Sequence, residues 1–295
     1  MIKNKQLSLI LSFFCLWLMS FICIQYETLI AFLLILSFGI LHGSNDIYLI
    51  SKVKPSRKQS YLRVLLFYIL FVLSGLVLFY FLPLLALGLF VIGSAYHFGE
   101  QHWEFDNLKA TKFWKRSFYT LYGNFLLILL FKLNTEDVIA VISEISGYTM
   151  PSSIILFAFY VNLFFLLLVA VYFFTKDNNF RKQIPVELLY TVVLYIIFKN
   201  SSLIWGFAIY FVIWHSLPSL YDQIEFLYEK VDRSSILNYL KKALPYWFIS
   251  VVGIIVLYTY FRNLDVFYSL FFSFLAAVTF PHSIVINRMF KQNKQ

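Results

Sequence analysis

Charge is scarce in this sequence. Only 13% of its 295 residues are Asp, Glu, Lys or Arg, against about 25% in a soluble globular domain. With 61% of residues hydrophobic, that scarcity excludes an ordinary water-soluble fold and indicates a polytopic membrane protein. Cysteine is nearly absent. Cys15 and Cys23 share one apolar segment, about 12 Å apart along a helix, which is too far for a disulfide within it. They carry no information on compartment. GxSxG, P-loop and HExxH motifs are missing, as are internal repeats, low-complexity segments and domain linkers. The net charge of +9 does not point to nucleic acid, because Lys and Arg sit in short loops between apolar runs, where membrane insertion explains them. Aromatic content is high, at 21%. Lipid-facing Phe, interfacial Tyr and Trp and AT-rich codon usage are the main account of it; a wall for a long conjugated ligand is the sharper one, and composition does not choose.

The apolar runs predict an all-α integral membrane protein. It is a polytopic bundle of about ten transmembrane helices in a single domain, residues 1–295, lying in the cell inner (plasma) membrane. Met1–Ile24 resembles a signal peptide, but no A-x-A-like site follows, so it reads as a retained first helix. The next runs are Thr28–Ile50, Tyr61–Leu82, Leu84–Trp103, Phe118–Leu133, Ile154–Phe174, a short Val186–Phe198, Leu203–Leu220, Pro245–Tyr260 and Leu264–Ile286. Between them, Tyr221–Leu244 is polar and reads in part as an amphipathic surface helix. Asn134–Ser153 holds Glu136, Asp137 and Glu144 but no Lys or Arg. With the N-terminus inside, the basic connections all fall on the cytoplasmic side: Lys52, Lys54, Arg57 and Lys58; Lys109, Lys112, Lys115 and Arg116; Lys176, Arg181 and Lys182; Lys230, Arg233, Lys241 and Lys242; and Arg288, Lys291 and Lys294. Lys132, Lys199 and Arg262 are the few positive charges on the other side. Ten spans with both termini cytoplasmic satisfy the positive-inside rule; eight remain open if the short seventh is re-entrant.

The histidines are few and concentrated. All five lie in LHGSND (Leu41–Asp46), SAYHFGEQHW (Ser94–Trp103), WHSLPS (Trp214–Ser219) and PHS (Pro281–Ser283). In the ten-span topology His42, His97, His215 and His282 lie on helices that run the same way, each about 20–27 Å below its helix start. That puts four imidazoles in one layer of the cytoplasmic half of the bilayer. Ionisable side chains at such depth usually face the bundle interior and mark function. A shared metal or cofactor site is the reading, although imidazole alone does not name the metal. Asp46, four residues after His42, and Glu100, three after His97, would share their helix faces. Each would hold an imidazole N–H or balance charge. His102, about 140° around from His97, points elsewhere, towards the interface. Gly43, Gly93, Ser94 and Gly99 would let helices approach closely. Pro218 and Pro281 would bend theirs and free a carbonyl. A bis-histidine haem protein commonly needs two layers, and membrane di-iron hydroxylases need larger HxxxH and HxxHH clusters. A transporter would show inverted repeats.

In order and spacing, LHGSND, SAYHFG, WHS and FPHSIVI resemble the Brp/Blh family of integral-membrane β-carotene 15,15'-dioxygenases, over nearly the whole chain. The resemblance implies cleavage of the central double bond of β-carotene by dioxygen into two retinals. It also implies non-haem Fe(2+) held by His42, His97 and His215, and supply of retinal to a microbial rhodopsin. One position departs: where the family has a second histidine, as HxxxH, this chain has Ser219. His282 would then complete the metal shell, with Asp46 a weaker substitute and Ser219 a neighbour rather than a ligand. A catalytically silent carotenoid- or retinal-binding relative, or a rhodopsin partner, is the alternative that Ser219 raises. The substrate would reach the site from the lipid bilayer, along an aromatic, water-poor tunnel.

Overall fold

The computed structural model describes residues 2–22, 24–53, 61–103, 108–261 and 267–292. Lys54, Arg57, Lys58, Arg262, Lys294 and Cys23 lie outside the described residues. Within them the regular structure is helical. The order is α1 (Ile2–Met19), α2 (Ile24–Leu34), a π-helical stretch π1 (Ile35–Gly39), α3 (Asp46–Val53), α4 (Tyr61–Phe81), α5 (Pro83–Trp103), α6 (Lys112–Leu133), α7 (Thr135–Ser146), α8 (Ser152–Lys176), α9 (Asn178–Lys199), α10 (Leu203–Ile209), a second π-helix π2 (Tyr210–Ser216), α11 (Leu217–Tyr228), α12 (Arg233–Phe261) and α13 (Phe267–Gln292).

Several boundaries differ from the sequence reading. The second run is broken: π1 and a turn over residues 42–45 separate α2 from α3. The seventh run is not short, because Asn178–Lys199 forms one helix with Pro185 inside it. The polar stretch Tyr221–Leu244 is no separate surface helix. Its first part ends α11 and its last part opens α12. The acidic stretch after α6 contains the amphipathic α7.

Three helical stretches among the described residues are long and apolar enough to cross a membrane: Ser152–Lys176, Leu203–Tyr228 and Arg233–Val256. Lys5–Met19, Tyr26–Gly39 and Leu65–Phe81 are apolar but shorter. Leu203–Tyr228 is enclosed by protein, whereas the other two turn Phe157, Phe164, Leu167, Phe248 and Ile249 outward. So many large apolar side chains facing out suit hydrocarbon rather than water.

The chain divides into two compact units. The first comprises Met1–Ile35, Ser94–Ala140 and Thr149–Ser216. In it α6 lies on α8 and α9, α10 is set among α2, α6 and α9, and α1 rests on α9 and π2. The C-terminal part of α5 crosses α6 at backbone contact. A Cβ built on Gly99 would stand 1.9 Å from the Tyr119 carbonyl oxygen, and one on Gly123 would stand 1.9 Å from the Ala95 oxygen. Only glycine fits at either point, so small residues set this crossing as they do in membrane bundles. Next to it Trp103, Phe118, Phe173 and Phe180 form a buried ring cluster.

Asp177 joins α8 to α9. Its Oδ1 accepts from the backbone N–H of Asn179 and Phe180, and its Oδ2 from that of Lys109 at 2.7 Å. Burial raises the carboxyl's pKa. The three N–H donors and the Lys109 charge outweigh that and hold it below the usual carboxylate range.

The second unit comprises Leu36–Gly93, Val141–Tyr148 and Leu217–Gln295. In it α13 lies against α3, α4 and α12, and α11 against α3 and α12. Ile224, Tyr239 and Ala243 form a small core under Leu41, Leu220 and Leu227.

Two outcomes test this description. Gly99→Ala should lower the thermal midpoint of the detergent-purified protein strongly, because a methyl there overlaps a backbone carbonyl, and overpacking costs about 1–3 kcal/mol or more. Gly88→Ala should be silent, since a Cβ there meets nothing within 4 Å. Equal effects of the two would refute the close crossing. Asp177→Asn should cost about 0.5–1 kcal/mol at neutral pH. The folded pKa is depressed, so this contribution is complete above the unfolded carboxylate value, about 3.9. It fades as pH falls through the folded value, and melting curves at pH 7 and pH 3 should show the gap to the unmodified protein closing in acid.

Candidate functional site

Each compact unit holds one pair of buried histidines. In the second unit the pair is His42 and His282. Their ring centroids are 4.6 Å apart with planes at 89°, and one ring nitrogen of each lies within 4.8 Å of the other. The local backbone explains how His42 reaches its place. In a continuous α-helix the Asp46 N–H would bond the His42 carbonyl; here it goes to the Gly43 carbonyl at 3.3 Å. The chain turns over residues 42–45 and restarts as α3. The His42 carbonyl instead accepts from Gln223 Nε2 at 2.9 Å. Upstream, in π1, the carbonyls of Leu36 and Ser37 accept from Trp247 Nε1 at 2.9 and 3.2 Å.

Asp46 does not partner His42. The sequence puts the two on one helix face, but the break at residues 42–45 removes that face. Asp46 Oδ1 instead lies 2.7 Å from His282 Nδ1, and Asp46 Oδ2 accepts from the Tyr68 hydroxyl at 2.9 Å. Asp46 and His282 are 1% and 2% exposed. A carboxylate can only accept, so Nδ1 carries the proton and the ring's lone pair lies at Nε2. This is the arrangement in which a carboxylate orients a metal-binding imidazole. Gly43 gives the pair space: a Cβ there would meet His282 Nδ1 at 3.7 Å, an ordinary contact.

In the first unit the pair is His97 on α5 and His215 in π2, with ring centroids 4.7 Å apart and planes at 77°. Phe98 lies 4.4 Å from the His215 ring, and Phe211 stacks on it at 5.7 Å and 20°. π2 precedes Pro218, which has no N–H to return to the preceding turn. Side chains serve the carbonyls of this stretch. Ser8 Oγ donates to Ile213 at 2.9 Å, Ser216 Oγ to Phe211 at 2.8 Å, and Gln101 Nε2 to His215 at 3.2 Å. Glu100 is buried, and its Oε1 accepts from the Tyr96 hydroxyl at 2.5 Å. Ser219, in the second unit, accepts from Gln223 Nε2 at 3.0 Å.

His102 points away from His97, as its angular position requires, but into a charged cluster rather than an interface. Its Nε2 lies 2.7 Å from Glu187 Oε2, 3.2 Å from the Tyr122 hydroxyl and 3.3 Å from Lys5 Nζ, and Lys5 donates to Glu187 Oε1 at 2.9 Å. Sequence reasoning missed this cluster, along with Tyr68, Gln223 and Tyr239. Tyr68 is one hydroxyl in an apolar run. Gln223 and Tyr239 fall in the stretch read as surface. Only the lone Glu187 inside an apolar run gave a signal.

The donor set fits a first-row transition metal. Four imidazoles are 0–4% exposed, and one carries a carboxylate on its remote nitrogen. No curated protein and no solved structure matches the chain. Residues 33–290, which contain all five histidines and most of the helices, match the family model described as beta-carotene 15,15'-dioxygenase, and the chain belongs to that family.

Proposed function

We propose that this protein cleaves the central 15,15' double bond of β-carotene with dioxygen, giving two molecules of all-trans-retinal. His42, His97, His215 and His282 would together hold one ferrous iron. The observation that supports this best lies inside the family-matched region: two buried imidazole pairs, one of them backed by Asp46. Ferrous iron, when bound, supplies the centre at which dioxygen is activated.

The chain's own residues do the rest. Asp46 keeps the proton of His282 on Nδ1, and Tyr68 fixes the free rotation of Asp46 by donating to its second oxygen. Neutral imidazoles bind the metal without adding charge in a low-dielectric interior. Phe98 and Phe211 cover the His215 ring; there they exclude water and offer apolar faces to a polyene. Glu100 lowers the net charge near His97, and Ser219 acts through Gln223 rather than as a ligand. β-Carotene is dissolved in the bilayer, so a site entered from lipid needs no soluble domain.

We further propose one transmembrane domain of ten spans in the cell inner membrane, with both termini cytoplasmic and retinal passed to a microbial rhodopsin. The lysines and arginines between the apolar runs support this topology. A catalytically silent carotenoid- or retinal-binding relative is the second reading, and Ser219 in place of the family's histidine is what favours it.

Two measurements decide. Purified protein should carry about one iron per chain and convert β-carotene to retinal. Ala at His42, His97, His215 or His282 should remove iron and retinal formation together, because a gap in a buried shell lowers affinity at least 10–100-fold. Iron-free unmodified protein would favour the silent relative. A reporter fused after Gln295 should be active only in the cytoplasm; activity on the opposite side would sink the ten-span topology.

A further inference from the structure

The motif around His97 includes Gln101, which the proposed chemistry leaves without a role, and the second unit contains a counterpart in Gln223. We propose that these two glutamines are backbone clamps. Each sets the direction of one histidine by holding that histidine's own main-chain carbonyl: Gln101 for His215, and Gln223 for His42. This rests on the reading that these histidines bind metal, and it names the positioning residues that the reading lacks.

Three observations carry it. Gln101 Nε2 donates to the His215 carbonyl at 3.2 Å and Gln223 Nε2 to the His42 carbonyl at 2.9 Å. Both side chains are buried, Gln223 completely. Both histidines sit where the backbone leaves α geometry, His42 in the turn over residues 42–45 and His215 inside π2. At such places a carbonyl changes partner, and the ring attached to the same residue swings with it. At such irregular places a side-chain donor on the carbonyl adds a hold to whatever the backbone supplies.

Glutamine suits this task. A primary amide is neutral, reaches across from a neighbouring helix, and offers two donors and an acceptor. Lys or Arg would put a positive charge beside a cation site. Gln223 uses its amide fully. Nε2 serves the His42 carbonyl and Ser219 Oγ, and Oε1 accepts from the Tyr239 hydroxyl at 2.7 Å. Asn45 Nδ2 then donates to the Tyr239 carbonyl at 3.1 Å, which closes the network back onto the turn that carries His42. Gln101 lies four residues after His97 on α5, on the same helix face. One helix therefore supplies both an imidazole and the clamp for its partner His215, whose ring stands 4.7 Å from that of His97. By this account Ser219 is a rest for the clamp.

The test uses detergent-purified full-length apo-protein and Co2+ as the probe, with binding followed by its visible ligand-field bands. Thermal unfolding is measured on the same samples. Gln101→Met and Gln223→Met keep length and bulk but lose every hydrogen bond. Each should bind Co2+ about 10–100-fold more weakly than the unmodified protein, the range seen for outer partners of metal ligands, with shifted bands. If a Met variant does not fold, Gln101→Asn and Gln223→Asn give the same comparison, because the amide stays neutral and polar but is one methylene too short to keep the bond. Ser219→Ala, which leaves the Gln223 bond to His42 in place, should weaken binding less than twofold. Unchanged affinity and bands in the Gln variants would overturn the clamp alone. So would a loss no greater than in an Asp177→Asn variant of equal thermal midpoint, since a purely structural role predicts that equality. Failure of the unmodified protein to bind Co2+ would overturn the metal reading and the clamp with it.

Discussion

Inside hydrocarbon, a backbone carbonyl that leaves its helical partner must find another, because no water is there to take its place. The rest of this structure depends on how that constraint is met at two histidines. His42 sits in a turn and His215 in a π-helix, and at neither place is the backbone a regular α-helix. The carbonyls concerned are served by side chains from other helices: Gln223 for His42, Gln101 for His215, Ser8 for Ile213, and Trp247 for Leu36 and Ser37. An unmet carbonyl costs about 1–3 kcal/mol even in a protein interior. These donors therefore stabilise the irregular segments. Irregular backbone at functional positions is common where neighbours over-determine it. Here the donors come from α1, α5, α11 and α12, so the helix bundle and the histidine geometry specify one another.

Much of this was legible in the sequence. Apolar runs locate the helices because a membrane helix needs an unbroken apolar length and little else. The histidines stood out because ionisable residues are few in those runs, and all five histidines fall in four short motifs. Gly99 was readable as a close contact, although its reciprocal partner Gly123 was not. What failed was reasoning that assumed a continuous helix. The offset of four residues between His42 and Asp46 implies one face only if the turns between them are α-helical. Four residues of turn sent Asp46 to His282, 236 positions away. Neither π-helix had a signal in the apolar pattern, since one extra residue per turn leaves a run of Leu, Phe and Ile looking the same. The length of α9 was missed because its first turns are polar, Asn178–Lys182, and follow an Asp177 cap that hydropathy does not see.

The two kinds of buried polar group are handled differently. The Lys5–Glu187–His102–Tyr122 cluster balances its own charge, and it joins α1, α5, α6 and α9 in the first unit. A buried pair of that kind adds little net stability, yet removing one partner is expensive because the other is left uncompensated. It behaves as a fixed joint that registers the helices carrying His97. The histidine pairs are different: their rings face each other edge to face, and Asp46 lies against Nδ1 of His282. Imidazoles set against one another in this way suit an added cation. His102 is in this sense the control within the chain. It has the same side chain on the same helix as His97, but lies against Glu187 and Lys5.

Ser219 shows how the outer network bears on ligand count. It is 1% exposed and lies against a Gln223 that is fully buried. A histidine at that position would lack the hydroxyl that Gln223 Nε2 now meets. The serine that looks like a lost ligand gives the amide one further contact, while the Gln223 bond to the His42 carbonyl holds the turn. On the proposed reading the shell still has four imidazoles, because His282, oriented by Asp46 and Tyr68, makes up the number from α13. The cost of that exchange is that the geometry relies on a break in the second apolar run and on the donors that stabilise it.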